Sequence, residues 1–433
     1  MAVAQRLGRS LMLPIATLPA AGLLLRFGQA DMLGADGLGK HVEFMNKVAD
    51  VLGAAGGAVF GNLPLIFAVG VAVGFAKKSD GSTGVAGLIG YLVFSETLKP
   101  MSKFVMGVDE AGAALKTVNY GVLGGILMGI IAALLWQKYY RVKLPDWLAF
   151  FGGRRFVPII TSGVAVVLAV VMSYIYPAFD WLVNQKLGGW LMNESNAVLG
   201  GFVFGTVNRL LIPFGLHHLI NSIPWFTLGA CTDKEGATLH GDLTCFFNGV
   251  DGTNAWSGSY MTGFFPIMMF ALPAAAFAIW QTAKPERKKA TGALMFSVAL
   301  TAFLTGITEP LEYAFAYVAF PLYAVHAVLT GSALAVTNLL GAKDGFTFSA
   351  GAIDYLINFG KSAELSGGVF QGPIMIVLVG LAYAVIYFFV FRFMIPAFNF
   401  PTPGREDEGD GFEAAQAEAA VRTGKVAEEA RKR

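Results

Sequence analysis

The segment Thr305–Phe315, TGITEPLEYAF, places Glu309 and Glu312 between two apolar runs. Pro310 prevents a regular helix from running through it. Broken helices with polar groups near the bilayer midplane are the usual architecture of a transporter substrate site. An ionisable group inside a membrane costs several kcal/mol and is rarely kept without a role. A second anomalous region runs from Asn208 to Gly258. Its first part, NRLLIPFGLHHLINSIPWF, is apolar but carries Arg209, His217, His218 and Asn221. Its second part, from Cys231, is polar and glycine-rich. About 50 residues pass without one clean span, so the region is either an extracytoplasmic loop or a re-entrant hairpin whose polar backbone is satisfied by protein or a water-filled cavity.

Each residue also has a plainer reading. Glu309 and Glu312 could cap a loop, His217 and His218 could be interfacial or core histidines, and Arg209 could be an orientation anchor. His326, in an otherwise apolar run, reads as a satisfied packing histidine, and His240–Gly241–Asp242 as a turn. Gly360–Lys361–Ser362 resembles the end of a P-loop, but the first glycine would fall at Tyr355 and no strand pattern precedes it. The histidine spacing fits no zinc pattern, so no metal site is expected.

The elements that must hold these residues are membrane spans. Of 433 residues, 55% are hydrophobic and only 14% are Asp, Glu, Lys or Arg, against about 25% in a soluble domain. Fourteen of the 60 charges fall in Pro401–Arg433. The remaining chain is too poor in charge to cover a soluble surface. The net charge of +2 carries no field for nucleic acid. Two cysteines, Cys231 and Cys245, exclude a disulfide scaffold and a multi-cysteine metal site.

Apolar runs of roughly spanning length lie at Leu11–Leu25, Ala58–Ala76, Gly121–Trp136, Phe156–Phe179, Met261–Trp280, Leu294–Ile307, Phe315–Leu340 and Ile374–Phe398. Mixed segments at Gly84–Thr97 and Val198–Leu211 bring the expectation to about ten. Basic clusters at Arg6/Arg9, Lys77/Lys78, Lys138/Arg141/Lys143, Arg154/Arg155 and Lys284/Arg287/Lys288/Lys289 are placed on the cytoplasmic side, with both termini inside. Tyr139–Phe156 has the composition of an interfacial segment.

GITEPLEY at Gly306–Tyr313, NRLLIPFGLHH at Asn208–His218 and TPGRED at Thr402–Asp407 resemble signatures of the glucose superfamily of the bacterial phosphoenolpyruvate:sugar phosphotransferase system. The resemblance is to the membrane-embedded C component and covers about residues 4–407. The start QRLGRSLMLPIATLPAAGLLLRFGQ, FFGGRRFVPI at Phe150–Ile159 and GFFPIMMFALPAAA at Gly263–Ala276 are similar to N-acetylglucosamine permeases. Where the family reads Ala-Gly-Asp after an aromatic pair, this chain has Phe246–Phe247–Asn248–Gly249–Val250–Asp251, which leaves the role of Asp251 open. The chain stops soon after TPGRED, and neither cysteine has the Thr-Arg-Leu context of a phosphocysteine, so a separate B component is expected.

The resemblance implies an all-α polytopic membrane protein with about ten transmembrane helices and two re-entrant hairpins. Residues 1–185 would form a dimerisation half, 186–400 a sugar-carrying half and 401–433 a charged cytoplasmic tail. It implies import of N-acetylglucosamine, or a related hexose, and its phosphorylation at the 6-hydroxyl by a phosphocysteine donor on the partner. Glu309 and His217 would contact the 6-hydroxyl, with Glu309 as the base. Arg209, Asn208, Thr308, Glu312 and His218 would bind substrate or the incoming phosphoryl group. A carboxylate withdrawn from water has a raised pKa suited to accept a proton near neutrality. No cofactor is needed. Membrane lipid and a second copy of the chain complete the expected partners. A glucose-specific permease, a proton-coupled transporter in which Glu309 and His217 relay protons, and a membrane sugar sensor are the alternatives.

Overall fold

The computed structural model describes residues 10–406 apart from 12–13, 15–16, 78, 192, 234–235 and 251–255. Arg6, Arg9, Lys78, Asp251 and the tail beyond 406 therefore lie outside the described residues. The described chain is mostly helical, with one two-stranded hairpin. It divides into two compact units: Met1–Gly201, Phe214–Met261 and Asp344–Phe348 in the first; Phe202–Pro213, Thr262–Lys343 and Ser349–Arg433 in the second.

In the first unit the helices are α1 (Leu18–Phe27), α2 (Glu43–Gly61), α3 (Leu63–Phe75), α4 (Gly81–Met106), α5 (Gly121–Tyr139) and α6 (Phe156–Phe179). Helices α2 and α3 meet at a 56° bend, where Asn62 precedes a proline in the first turn of α3. Helix α4 starts on a reciprocal cap: Asp80 accepts from the Ser82 amide at 2.9 Å and donates its own amide to Thr83 Oγ1 at 3.2 Å. The expected span at Gly84–Thr97 is part of this longer helix. Trp147, Phe150 and Phe151 are exposed on short 3-10 turns between α5 and α6, as suits an interfacial segment.

Helices α3 and α5 pack at very short range. A Cβ on Gly125 would lie 2.0 Å from the Pro64 carbonyl oxygen, and one on Gly129 would lie 2.7 Å from that of Ala68. Residues four apart share a helix face, so these glycines form a small-residue seam of the kind that joins membrane helices. Gly125→Val is therefore expected to cost at least about 1–3 kcal/mol, as overpacking does. It should lower the melting temperature of the detergent-solubilised protein. Unchanged melting would show that α3 and α5 do not depend on this contact.

The first unit continues with α8 (His217–Phe226), β1 (Ala230–Thr232), β2 (Thr238–His240) and α9 (Asp242–Asn248), and in sequence α7 (Ala197–Leu211) precedes them. The strands pair antiparallel, with Ala230 opposite His240. A disulfide joins Cys231 on β1 to Cys245 on α9. Asp242, expected in a simple turn, is fully buried; its carboxylate accepts from the amides of Gly258 at 2.5 Å and Tyr260 at 2.9 Å. The polar glycine-rich stretch is thus a pinned hairpin. Composition excluded a scaffold of disulfides but did not announce this one bridge, because two cysteines far apart in hydropathy context carry no pairing signal.

Replacing both cysteines with serine is expected to lower stability by about 2–4 kcal/mol, the usual contribution of one bridge. Phosphoryl transfer by the folded double variant should persist. Loss of transfer with melting unchanged would assign the cysteines to the chemistry instead.

The second unit holds the end of α7 from Phe202, α10 (Leu272–Thr282, preceded by a π-helical turn at Pro266–Ala271), α11 (Lys288–Thr305), α12 (Glu309–Ala316), α13 (Phe320–Leu339), α14 (Ala352–Leu365) and α15 (Met375–Ala397). Its core packs α10 against α11 and α15, and α13 against α15. Lys361 lies within α14, so its neighbourhood is a helix and not a phosphate loop.

Among the described residues, five helical stretches are long and apolar enough to cross a membrane alone: Gly121–Tyr139, Gly153–Leu191, Ala197–Phe214, Phe320–Leu339 and Phe370–Ala397. The bent α2–α3 pair makes six. Of the other expected spans, Leu11–Leu25 lies partly outside the described residues. Pro266–Thr282 is short, and α11 opens on Lys288 and Lys289.

Candidate functional site

The GITEPLEY segment is a designed break. Gly306 ends α11 in the left-handed conformation, φ +72°, with its amide bonded to Ala302 O at 2.9 Å. A Cβ there would also lie 2.6 Å from Ser349 Oγ. Thr308 then caps α12, taking the amides of Leu311 and Glu312 on its carbonyl. Pro310, which would disrupt a continuous helix, falls within the first turn of a new one, where its missing N–H costs nothing. Glu309 and Glu312 both occupy that first turn, at the positive end of the helix dipole.

Glu312 is fully buried and ion-paired. Arg209, near the end of α7, brings one guanidinium nitrogen to 2.7 Å from Glu312 Oε1 and 3.3 Å from Thr308 Oγ1. The guanidinium lies 4.9 Å from the centre of the Phe264 ring, a cation–π arrangement. Asn208 and Thr308 are buried beside this pair in sequence, and Glu309 is half-buried. A pair taken so far from water is stable only with good geometry and further hydrogen bonds.

Tyrosines supply the frame. The last carbonyls of a helix have no internal partner. Here the Tyr323 hydroxyl donates to Arg209 O, that of Tyr313 to Ile212 O at 3.3 Å, and that of Tyr317 to Pro213 O at 2.8 Å. Residues of α12, the turn after it and α13 therefore clamp the end of α7 that carries Arg209.

His326 is fully buried, as a satisfied packing histidine would be, and it also reaches the carboxylate network. Its Nε2 is 3.5 Å from Glu312 Oε1, and its Nδ1 is 2.8 Å from the Tyr387 hydroxyl of α15. Sequence reasoning missed Tyr323, Tyr387 and Phe264, because aromatic residues in apolar helices are common and their partners are distant in sequence. Among the described residues, Arg209 Nε and Glu312 Oε2 are buried without a hydrogen-bond partner. The network therefore has donor and acceptor capacity left over for a polar ligand.

The second unit thus assembles Asn208, Arg209, Thr308, Glu309 and Glu312. His217 and His218 belong to the first unit, at the start of α8, with ring centres 3.7 Å apart; His217 is buried and His218 half-buried.

Residues 8–331 match the family described as Phosphotransferase system, EIIC. The chain belongs to that family. The EIIC assignment is reinforced by a Streptomyces coelicolor relative named PTS system N-acetylglucosamine-specific EIIC component, 48% identical over 93% of this chain and 92% of its own length. A Bacillus subtilis N-acetylglucosamine-specific EIICB component is 44% identical over 93% of this chain and 79% of its own length. An Escherichia coli EIICBA component of the same named specificity is 43% identical over 97% of this chain, which spans 59% of that relative's length. The fold of this EIIC chain is similar to the crystal structure of the transporter ChbC, the IIC component of an N,N'-diacetylchitobiose-specific phosphotransferase system. The TM-score is 0.56, at 16% identity, with 94% of this chain and 96% of that one covered.

Proposed function

We propose that this chain imports N-acetylglucosamine and presents its 6-hydroxyl for phosphorylation by a B component. The observation that carries the reading is the Arg209–Glu312–Thr308 network set beside Glu309 in a broken helix. The substrate is taken from relatives that are 43–48% identical to this chain over the aligned positions. In the step proposed, the sugar O6 attacks phosphorus while Glu309 takes the hydroxyl proton. The bond from phosphorus to the donor cysteine sulfur breaks, and the thiolate leaves. Phosphoryl transfer of this kind needs positioning and cations around the phosphoryl oxygens more than covalent help. Arg209 supplies the fixed charge. Glu312 and Thr308 orient Arg209, and Asn208 binds the sugar. His217 and His218 keep the sugar-contacting roles that the family resemblance implies.

Ten spanning helices with two re-entrant hairpins, a dimerising half to residue 185 and a sugar-carrying half to residue 400 complete the proposal. Basic residues at the end of α5 and the start of α6, Lys138, Arg154 and Arg155, support one cytoplasmic face. The Cys231–Cys245 bridge supports an oxidising, extracytoplasmic location for its hairpin.

The test is sugar-dependent phosphorylation in membrane vesicles, with purified B component and glucose, N-acetylglucosamine, glucosamine and maltose as substrates. N-acetylglucosamine should give the highest kcat/KM. Uptake that proceeds without the phosphotransfer proteins and collapses with the proton gradient would overturn the reading.

A further inference from the structure

Helices α10 and α11 leave a groove of about 520 Å³ between them, walled by Pro273, Phe277, Trp280, Phe296, Leu300 and Phe303. Phe296 is 69% exposed and Phe277 45% exposed, so the groove opens outward from the packed core. From Gly292 to Phe303 it follows α11 for about 16 Å at ~1.5 Å per residue. That is about half the ~30 Å thickness of a bilayer core, the depth of one leaflet.

At the mouth of the groove the chain turns through Lys284–Lys289. Arg287 is paired with Glu406 at 3.2 Å, and Lys284 Nζ reaches the Glu406 carbonyl at 3.4 Å, which ties the turn down. Lys288 and Lys289 are exposed and have no ion pair among the described residues; Glu286 is the one acidic side chain of the turn itself. Both lysines sit in the first turn of α11, which has no acidic residue and no side-chain cap. Positive side chains at the positive end of a helix are unfavourable, an effect that a bound anion reverses. Trp280 stands between groove and turn, its indole nitrogen donating to Lys288 O at 3.0 Å. Tryptophan favours this depth, where hydrocarbon gives way to headgroups.

We propose that this groove is a binding site for an anionic phospholipid. One acyl chain lies along Phe277, Phe296 and Phe303, and the phosphate lies on Lys288 and Lys289. Basic pockets between spanning helices recognise anionic headgroups in this way, whereas a zwitterionic lipid would gain the acyl contacts alone.

The test uses the full chain in detergent, titrated with phosphatidylglycerol or phosphatidylcholine brominated on the acyl chain, with tryptophan quenching as the readout. The expected result is half-maximal quenching by phosphatidylglycerol at a several-fold lower concentration than by phosphatidylcholine. Lys288→Gln/Lys289→Gln should bring the two curves together. Trp280→Phe should remove the selective component and leave quenching of the other six tryptophans. Glycerol phosphate without acyl chains should not compete. Equal quenching by the two lipids in the unaltered protein would overturn the proposal, as would selectivity that survives the double lysine change. Competition by glycerol phosphate would reassign the turn to a soluble anion.

Discussion

Sugar phosphorylation by the Glu309→Gln protein should fall by about 10²–10⁴-fold, the contribution of one well-placed general base, while sugar binding stays measurable. Glu309 is half-buried at the first position of α12, where Gly306, Thr308 and Pro310 together break the chain and restart it. Glutamine keeps the size and the hydrogen-bonding reach but has no basic oxygen to accept the O6 proton. Arg209 is ion-paired with Glu312 at 2.7 Å, and both members of that buried pair are kept in the variant. The fold should therefore tolerate it, and melting and sugar binding provide the controls. Near-normal phosphorylation by Glu309→Gln would remove the base assignment.

Arg209→Lys should lower phosphorylation by about 10²–10³-fold, the cost of losing one fixed donor aimed at developing charge. A surface Arg→Lys change should do almost nothing. Arg209 spans Glu312 Oε1 and Thr308 Oγ1 with one nitrogen and keeps Nε in reserve. A lysine keeps the charge but offers a compact point in place of a planar fork, so if its nitrogen holds Glu312 and Thr308 it has no donor at the separate position of Nε. The complication is stability, since removing one member of a buried pair costs about 3–5 kcal/mol. Lysine preserves the charge, so melting should fall far less than for Arg209→Met. If Arg209→Lys melts normally and turns over normally, Arg209 is an orientation anchor and the network is structural.

Membrane residence, the broken segment at Gly306–Tyr313 and the candidates Arg209, Glu309 and Glu312 were legible in the linear chain. These signals are local. Low charge content is a property of composition, and a proline beside carboxylates between apolar runs conflicts visibly with its surroundings. The family resemblance also lies in short contiguous motifs.

The pairings were decided only by the tertiary structure. Arg209 meets Glu312 across 103 residues, and His326 meets Tyr387 across 61. Nothing in the hydropathy of α13 separates a histidine that supports a buried carboxylate from one that merely packs. The Cys231–Cys245 bridge depends on β1 and α9 folding side by side, and Asp242 depends on two amides 16 and 18 residues away. In an apolar medium a buried polar atom must be satisfied by the protein or by what the protein binds. Sequence therefore reveals which polar residues have been retained there, while the three-dimensional packing of the helices determines what each of them holds.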